Sequence, residues 1–259
     1  MDPATIAGII LCFVAIFTSM LLEGGDPLSI FLLPPLLLVF GGTIGAAFAG
    51  TMFKDVGSLI NGLKQGFIAK VTPPDALVES IVKLAEKARR EGLLALEDAM
   101  KDVSDPFLRK GLQLAIDGTD SEELRDILEA EVDAKRKADK QSAKFFSDMG
   151  GYAPTIGIIG TVLGLIHVLE NLSEPEKLGH LIAGAFVATL WGVMSANVLW
   201  LPLGNKLKRL SEVECAHMDL VIAGIINIQA GANPRLVAQK LHSLMGSSEQ
   251  KPKKKAEAA

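Results

Sequence analysis

The polar and apolar positions divide the chain into long uninterrupted apolar runs and a charged helical middle. Apolar runs occupy residues 5–22, 30–49, 152–169 and 181–203. Each approaches the ~20 residues a helix needs to cross a bilayer. None carries Lys, Arg, Asp or Glu in its interior, so all four read as transmembrane helices, the last two as a hairpin around NLSEPEKLGH. The first run is rich in Ile, Leu and Phe, as suits a lipid-facing helix. The second begins with Pro34-Pro35, which break or delay the helix near its outer end, and places Gly41, Gly42, Gly45, Ala46 and Ala49 at three- and four-residue spacing, a face suited to close helix packing.

Between the second and third runs the period changes. Pro73-Pro74-Asp75 is a helix start, and DALVESIVKLAEKARREG has apolar positions at helical spacing up to Gly92. LLALEDAMKDV resumes the pattern. Ser104-Asp105-Pro106 opens another helix, and Asp120-Ser121 opens a longer one running toward Met149. No alternation of period two occurs. After Pro202 the chain is expected to continue as helix, turn near Gly231-Ala232-Asn233-Pro234, add a short helix and end in a charged tail. The expected fold is thus an all-α membrane protein, four transmembrane helices with a helical cytoplasmic domain inserted between helices two and three. Its expected divisions are residues 1–51, 52–149, 150–205 and 206–259.

Composition agrees with this segregation: 49% of the 259 residues are hydrophobic and 22% are charged. Residues 54–144 hold 16 of the 26 Lys and Arg, the stretch after Pro202 holds 9, and the turn after the first run holds none. Basic loops stay on the cytoplasmic side, so both termini and the insert are expected there, in a multi-pass protein of the cytoplasmic (inner) membrane. Residues 54–144 balance their 16 basic residues with 18 Asp and Glu. That speaks against nucleic acid, which selects a basic excess, and for a protein partner. The first run lacks the basic flank and cleavage site of a secretory signal.

Candidate chemistry is sparse. Cys12 and Cys215 lie far apart without further ligands nearby, so neither a disulfide framework nor a metal site is expected. No catalytic constellation or phosphate-binding loop is present, and the chain does not read as an enzyme or as the holder of a cofactor. An ion-driven machine normally keeps an ionisable side chain in the membrane. This chain has none at mid-membrane, so a carboxylate would have to come from a second polypeptide. Thr161 shares a helical face with Gly157 and Gly164, and Thr189 lies near Ala185, Gly192 and Ala196. Such hydroxyls could coordinate a hard cation, or simply bond a carbonyl of their own helix. Pro154 and Pro202 sit at the inner ends of the third and fourth runs, where a missing donor permits bending.

The phrases YAPTIGIIGTVLGLIHVL, AFVATLWGVMSANVLWLPLGNKL, ARREGLLALED and DPFLRKGLQLAIDG resemble the MotA/PomA family of flagellar motor stator subunits, and the likeness covers nearly the whole chain. The resemblance implies a homo-oligomeric ring, a pentamer, around a dimer of a MotB-like single-span protein that carries the channel aspartate. It also implies that cation flow turns the ring and that the insert pushes on the rotor protein FliG. Matched by motif, Pro154 and Pro202 resemble the family's prolines at the junction of channel and cytoplasm. Arg89, Arg90 and Glu97 resemble its rotor-contacting charges, although a solvated helix face is the ordinary place for such residues. Thr161 and Thr189 resemble the hydroxyls of the sodium-driven branch, which favours sodium as the transported ion and leaves the proton open. An alternative is a TolQ/ExbB-type energiser of the cell envelope, whose usual three spans and insert after the first disagree with the order found here.

Overall fold

The computed structural model describes residues 4–52, 57, 59, 62 and 73–245. Among the described residues there is no strand. The chain forms two compact units, residues 1–70 with 138–211, and residues 71–137 with 212–259. The basic tail lies outside the described residues.

The first unit contains the apolar helices. Helix α1 (Ala4–Leu22) buries none of its residues within the chain, as its Ile/Leu/Phe composition predicts for a lipid-facing span. A 3-10 turn, Pro27–Ile30, follows with Asp26 as its N-cap. Helix α2 (Leu33–Ala49) starts at the proline pair, where a missing N–H costs nothing. It contains a π-helical turn at Leu37–Gly41. Its inward face is Val39, Thr43 and Ala47, four residues apart. Of the glycines on the expected small face Gly42 meets a neighbour, a Cβ there reaching 3.0 Å from Ile156, whereas Gly41 and Gly45 face open space.

Helix α5 (Ser121–Glu170) and helix α6 (Pro175–Gln229) each supply a further apolar span. With α1 they are, among the described residues, the three helices long and apolar enough to cross a membrane, and α2 is a shorter apolar helix. At 17 residues α2 rises about 25 Å, close to the ~30 Å of a hydrocarbon core.

The long cytoplasmic helix and the third span are one element. The sequence allows a break at Gly150-Gly151 or Pro154, yet α5 runs through all three as 50 helical residues. Glycine and proline lower helix propensity by about 1 and 3 kcal/mol, which packing here outweighs. A Cβ on Gly150 would lie 2.4 Å from Leu201, so glycine is what lets α6 approach.

The second unit is a helical cluster around a continuous apolar core. Helix α3 (Pro74–Glu91) starts with Asp75 in its first turn and ends with Arg89 and Arg90 in its last, the signs that complement its dipole. Leu77, Val78, Ile81, Leu84, Ala85 and Ala88 form its buried stripe. Gly92, at φ 85°, stops it, and residues 93–102 form short helical turns. Helix α4 (Pro106–Ile116) is capped by Asp105, whose carboxylate accepts from the Leu108 N–H at 2.9 Å. Helix α7 (Pro234–Leu244), capped by Asn233 after Gly231, lies against α3. Ile81, Leu96, Leu108, Leu112, Leu124, Leu128, Val221, Ile225 and Leu241 are essentially solvent-free in this core. Each contributes about 1.5–3 kcal/mol of apolar burial.

Candidate ion-pathway and partner-contact sites

The α5–α6 contact is built from residues without bulk. A Cβ on Gly157 would meet the Ala188 carbonyl oxygen at 2.9 Å and the Thr189 Cα at 3.1 Å. One on Gly192 would meet the Ala153 carbonyl oxygen at 2.7 Å, and one on Gly164 the Ala185 Cβ at 2.5 Å. Backbone touches backbone here, which only glycine permits.

Thr189 uses that proximity. Its hydroxyl donates across the contact to the Gly157 carbonyl at 3.2 Å. Thr161 lies on the same face of α5 as Gly157 and Gly164, but its hydroxyl donates within its own helix, to Ile158 at 2.6 Å. The two threonines therefore border one helix pair and differ in what they bond. With both protons directed to carbonyls, each hydroxyl oxygen keeps acceptor lone pairs. Thr155 and Asn197 bond carbonyls of their own helices, those of Tyr152 and Val193.

Pro154 is accommodated inside α5 and is half-buried. Pro202 lies one residue beyond a π-helical turn, Ala196–Trp200, whose closing residue Leu201 reaches back with its N–H to Ala196. A π turn next to a residue without a donor is a recognised place for a helix to bend. The contact of Gly150 with Leu201 brings the neighbourhoods of the two prolines together at one end of the helix pair.

Two features of this region are not evident from residue order. The π turns shift the hydrogen-bond ladder without changing the apolar pattern. Trp191, in the middle of the fourth span, donates its indole N–H to the Ile30 carbonyl at 2.7 Å and sits edge-on to Phe31. A tryptophan in an otherwise apolar run signals the need for an acceptor, but not where that acceptor lies.

In the other unit, Arg89, Arg90 and Glu97 are all exposed, on either side of the Gly92 turn. Buried Ala88 and Leu96 anchor the segments that present them. None of the three makes an ion pair among the described residues. Their neighbours do: Lys83 with Glu79 at 2.8 Å and Lys101 with Asp98 at 2.8 Å. Elsewhere in this unit His217 meets Asp105 at 2.7 Å. Burial pushes the Asp105 carboxyl up, but the His217 ring and the Leu108 and Phe107 N–H groups together hold it below the usual carboxylate range.

Residues 99–220 match the family model described as the MotA/TolQ/ExbB proton channel family. Motility protein A of Bacillus subtilis (strain 168) is 40% identical over 245 residues, which cover 93% of this chain and 90% of that protein. The chain belongs to the MotA family of flagellar stator subunits. The solved structure of C. jejuni MotAB superposes on it with a TM-score of 0.91 at 30% identity, over 97% of this chain and all of the matched one. The flagellar MotAB stator complex from Bacillus subtilis gives 0.86 at 36% identity, over 95% and 97%. Membership of the MotA family makes the chain a membrane-embedded stator ion-channel subunit and not an enzyme. A 40% identity to a motility protein over nearly the full length of both chains, with two apolar helices, α1 and α2, before the insert, separates it from the TolQ/ExbB branch.

Proposed function

We propose that this MotA-family chain forms the wall of a cation route and obtains the acidic group on that route from a MotB-like single-span partner. The observation that carries this reading is the third span. Little of its apolar run, 22%, is buried within the chain, it holds no Asp, Glu, Lys or Arg between Met149 and Leu169, with His167 as its one histidine near the far end, and it exposes Tyr152 and Thr155. A face with hydroxyls and no charge suits further chains, and an ion path without a titratable stop is incomplete. The assembly is a ring of copies of this chain, five around a partner dimer, in the inner membrane with both termini cytoplasmic.

Thr161 and Thr189 line the route and supply oxygen ligands, with sodium as the favoured ion and the proton as the competing one. Pro154 and Pro202 form its cytoplasmic junction. Arg89, Arg90 and Glu97, exposed and without ion pairs among the described residues, contact the rotor protein FliG. Swimming speed measured against sodium concentration at fixed pH tests the ion. Speed that rises with sodium supports this assignment, and speed that ignores sodium while following the proton motive force replaces it with the proton. The division of labour is tested in liposomes: the chain alone should not conduct, and selective conduction without the partner would overturn it.

A further inference from the structure

Away from the α5–α6 contact, the unit that holds the spans has a second concave feature. A crevice of about 500 Å³ lies between the first three turns of α1 and the 197–206 stretch of α6. Gly8 and Cys12 line it on one side, and Asn197, Pro202, Asn205 and Lys206 on the other. Its interior is mostly apolar, with an amide at one end and a cationic group at the other. At the first of these ends the Asn197 amide is already bonded to the Val193 carbonyl. Asn205 and Lys206 mark the other end, and Lys208 and Arg209 follow within one turn.

The length of this crevice has a meaning in a bilayer. Nine residues separate Asn197 from Lys206, a rise of about 13 Å along a helix. That is close to half of a hydrocarbon core of ~30 Å, the depth of one leaflet. The cationic end lies where α6 leaves the apolar run, which is where lipid phosphates stand. Lys and Arg at that level attract anionic headgroups. The glycine in the wall creates room: a Cβ on Gly8 would have no heavy atom within 4 Å. Since α1 buries none of its residues within the chain, the crevice is accessible from the lipid side.

We propose that this crevice binds one anionic phospholipid of the cytoplasmic leaflet, an acyl chain lying along Gly8 and Cys12 and the phosphate at Lys206 and Asn205. The choice of leaflet rests on the orientation given under Proposed function; the binding itself does not. The chain match is apolar length, and the headgroup match is the charge at Lys206.

Native mass spectrometry of the purified complex with its MotB-like partner, titrated with phosphatidylglycerol or phosphatidylcholine, tests the assignment. The unaltered complex should retain phosphatidylglycerol in preference, up to one molecule per copy of this chain. Gly8→Leu, which fills the crevice without striking the backbone, should reduce that retention by about tenfold or more. Lys206→Gln should keep lipid bound but abolish the preference for phosphatidylglycerol. Retention unchanged in Gly8→Leu, or a preference unchanged in Lys206→Gln, would overturn the proposal. So would loss of the ring in Gly8→Leu, because the crevice would then be covered by a neighbouring copy rather than by lipid. Failure of the unaltered chain to form a complex at all would count against the stator assembly and is read separately from lipid retention.

Discussion

Replacing Gly157 by alanine should disable the subunit, although the change adds a single methyl group. The new Cβ would stand 2.9 Å from the Ala188 carbonyl oxygen, 3.1 Å from the Thr189 Cα and 3.3 Å from the Gly192 Cα. All three are backbone atoms, so no side-chain rotation relieves the contact and the helices must part. The Thr189–Gly157 hydrogen bond is already 3.2 Å long and breaks on a separation of a few tenths of an ångström. Overpacking costs about 1–3 kcal/mol, and a lost interhelical bond in a membrane about 0.6 kcal/mol more. Better helix propensity returns at most about 1 kcal/mol. The net destabilisation is then about 1–3 kcal/mol, a fall of several degrees in the melting point of the purified complex, with loss of swimming because Thr189 is displaced. Gly45→Ala is the control, since a Cβ there meets nothing within 4 Å. If Gly157→Ala melts and swims like Gly45→Ala, the close α5–α6 contact is not what positions Thr189.

Three further outcomes follow from other parts of the chain. Replacing Thr161 and Thr189 together by Ala should flatten the dependence of swimming speed on sodium while the complex still assembles; an unchanged sodium dependence would reduce both to packing residues. Reversing charge at Arg90 (Arg90→Glu) or Glu97 (Glu97→Lys) should lower torque on tethered cells without altering the amount of membrane-inserted protein, because both side chains are exposed and make no ion pair among the described residues; full torque in both variants would remove them from the rotor contact. Asp105→Ala takes away the cap of α4 and the partner of His217 and should destabilise the cytoplasmic helices by about 1–2 kcal/mol in chemical denaturation. Because the folded carboxyl is held below its ordinary range, its stabilisation is present above the unfolded carboxylate pKa and is lost as pH falls through the folded one. The stability difference between Asp105→Ala and the unaltered chain should therefore shrink in acid, and a difference that widened there would contradict the assigned pairing.

What could be read from residue order was what local chemistry decides. Asp105-Pro106 and Asn233-Pro234 cap and start helices, and Gly92 stops one, through groups within a few residues of each other. The apolar runs are equally local, since bilayer thickness sets their length. The candidate site depends on distance across the fold, and there identical residues diverge. Thr161 and Thr189 are both hydroxyls among small residues, yet one bonds its own helix and the other crosses to its neighbour. The difference is the Gly157 carbonyl, which Thr189 can reach only because Gly157 and Gly192 let the two backbones meet. Continuity of α5 through Pro154 has the same origin. Proline disfavours the helix locally, and contacts made by Gly150 with Leu201, 51 positions away, maintain it. In a membrane segment the apolar pattern says that a helix is present, while its small residues decide which backbone atoms are close enough to do chemistry. In this chain that places the sensitive positions at glycines such as Gly157 and Gly192 as much as at the hydroxyls they position.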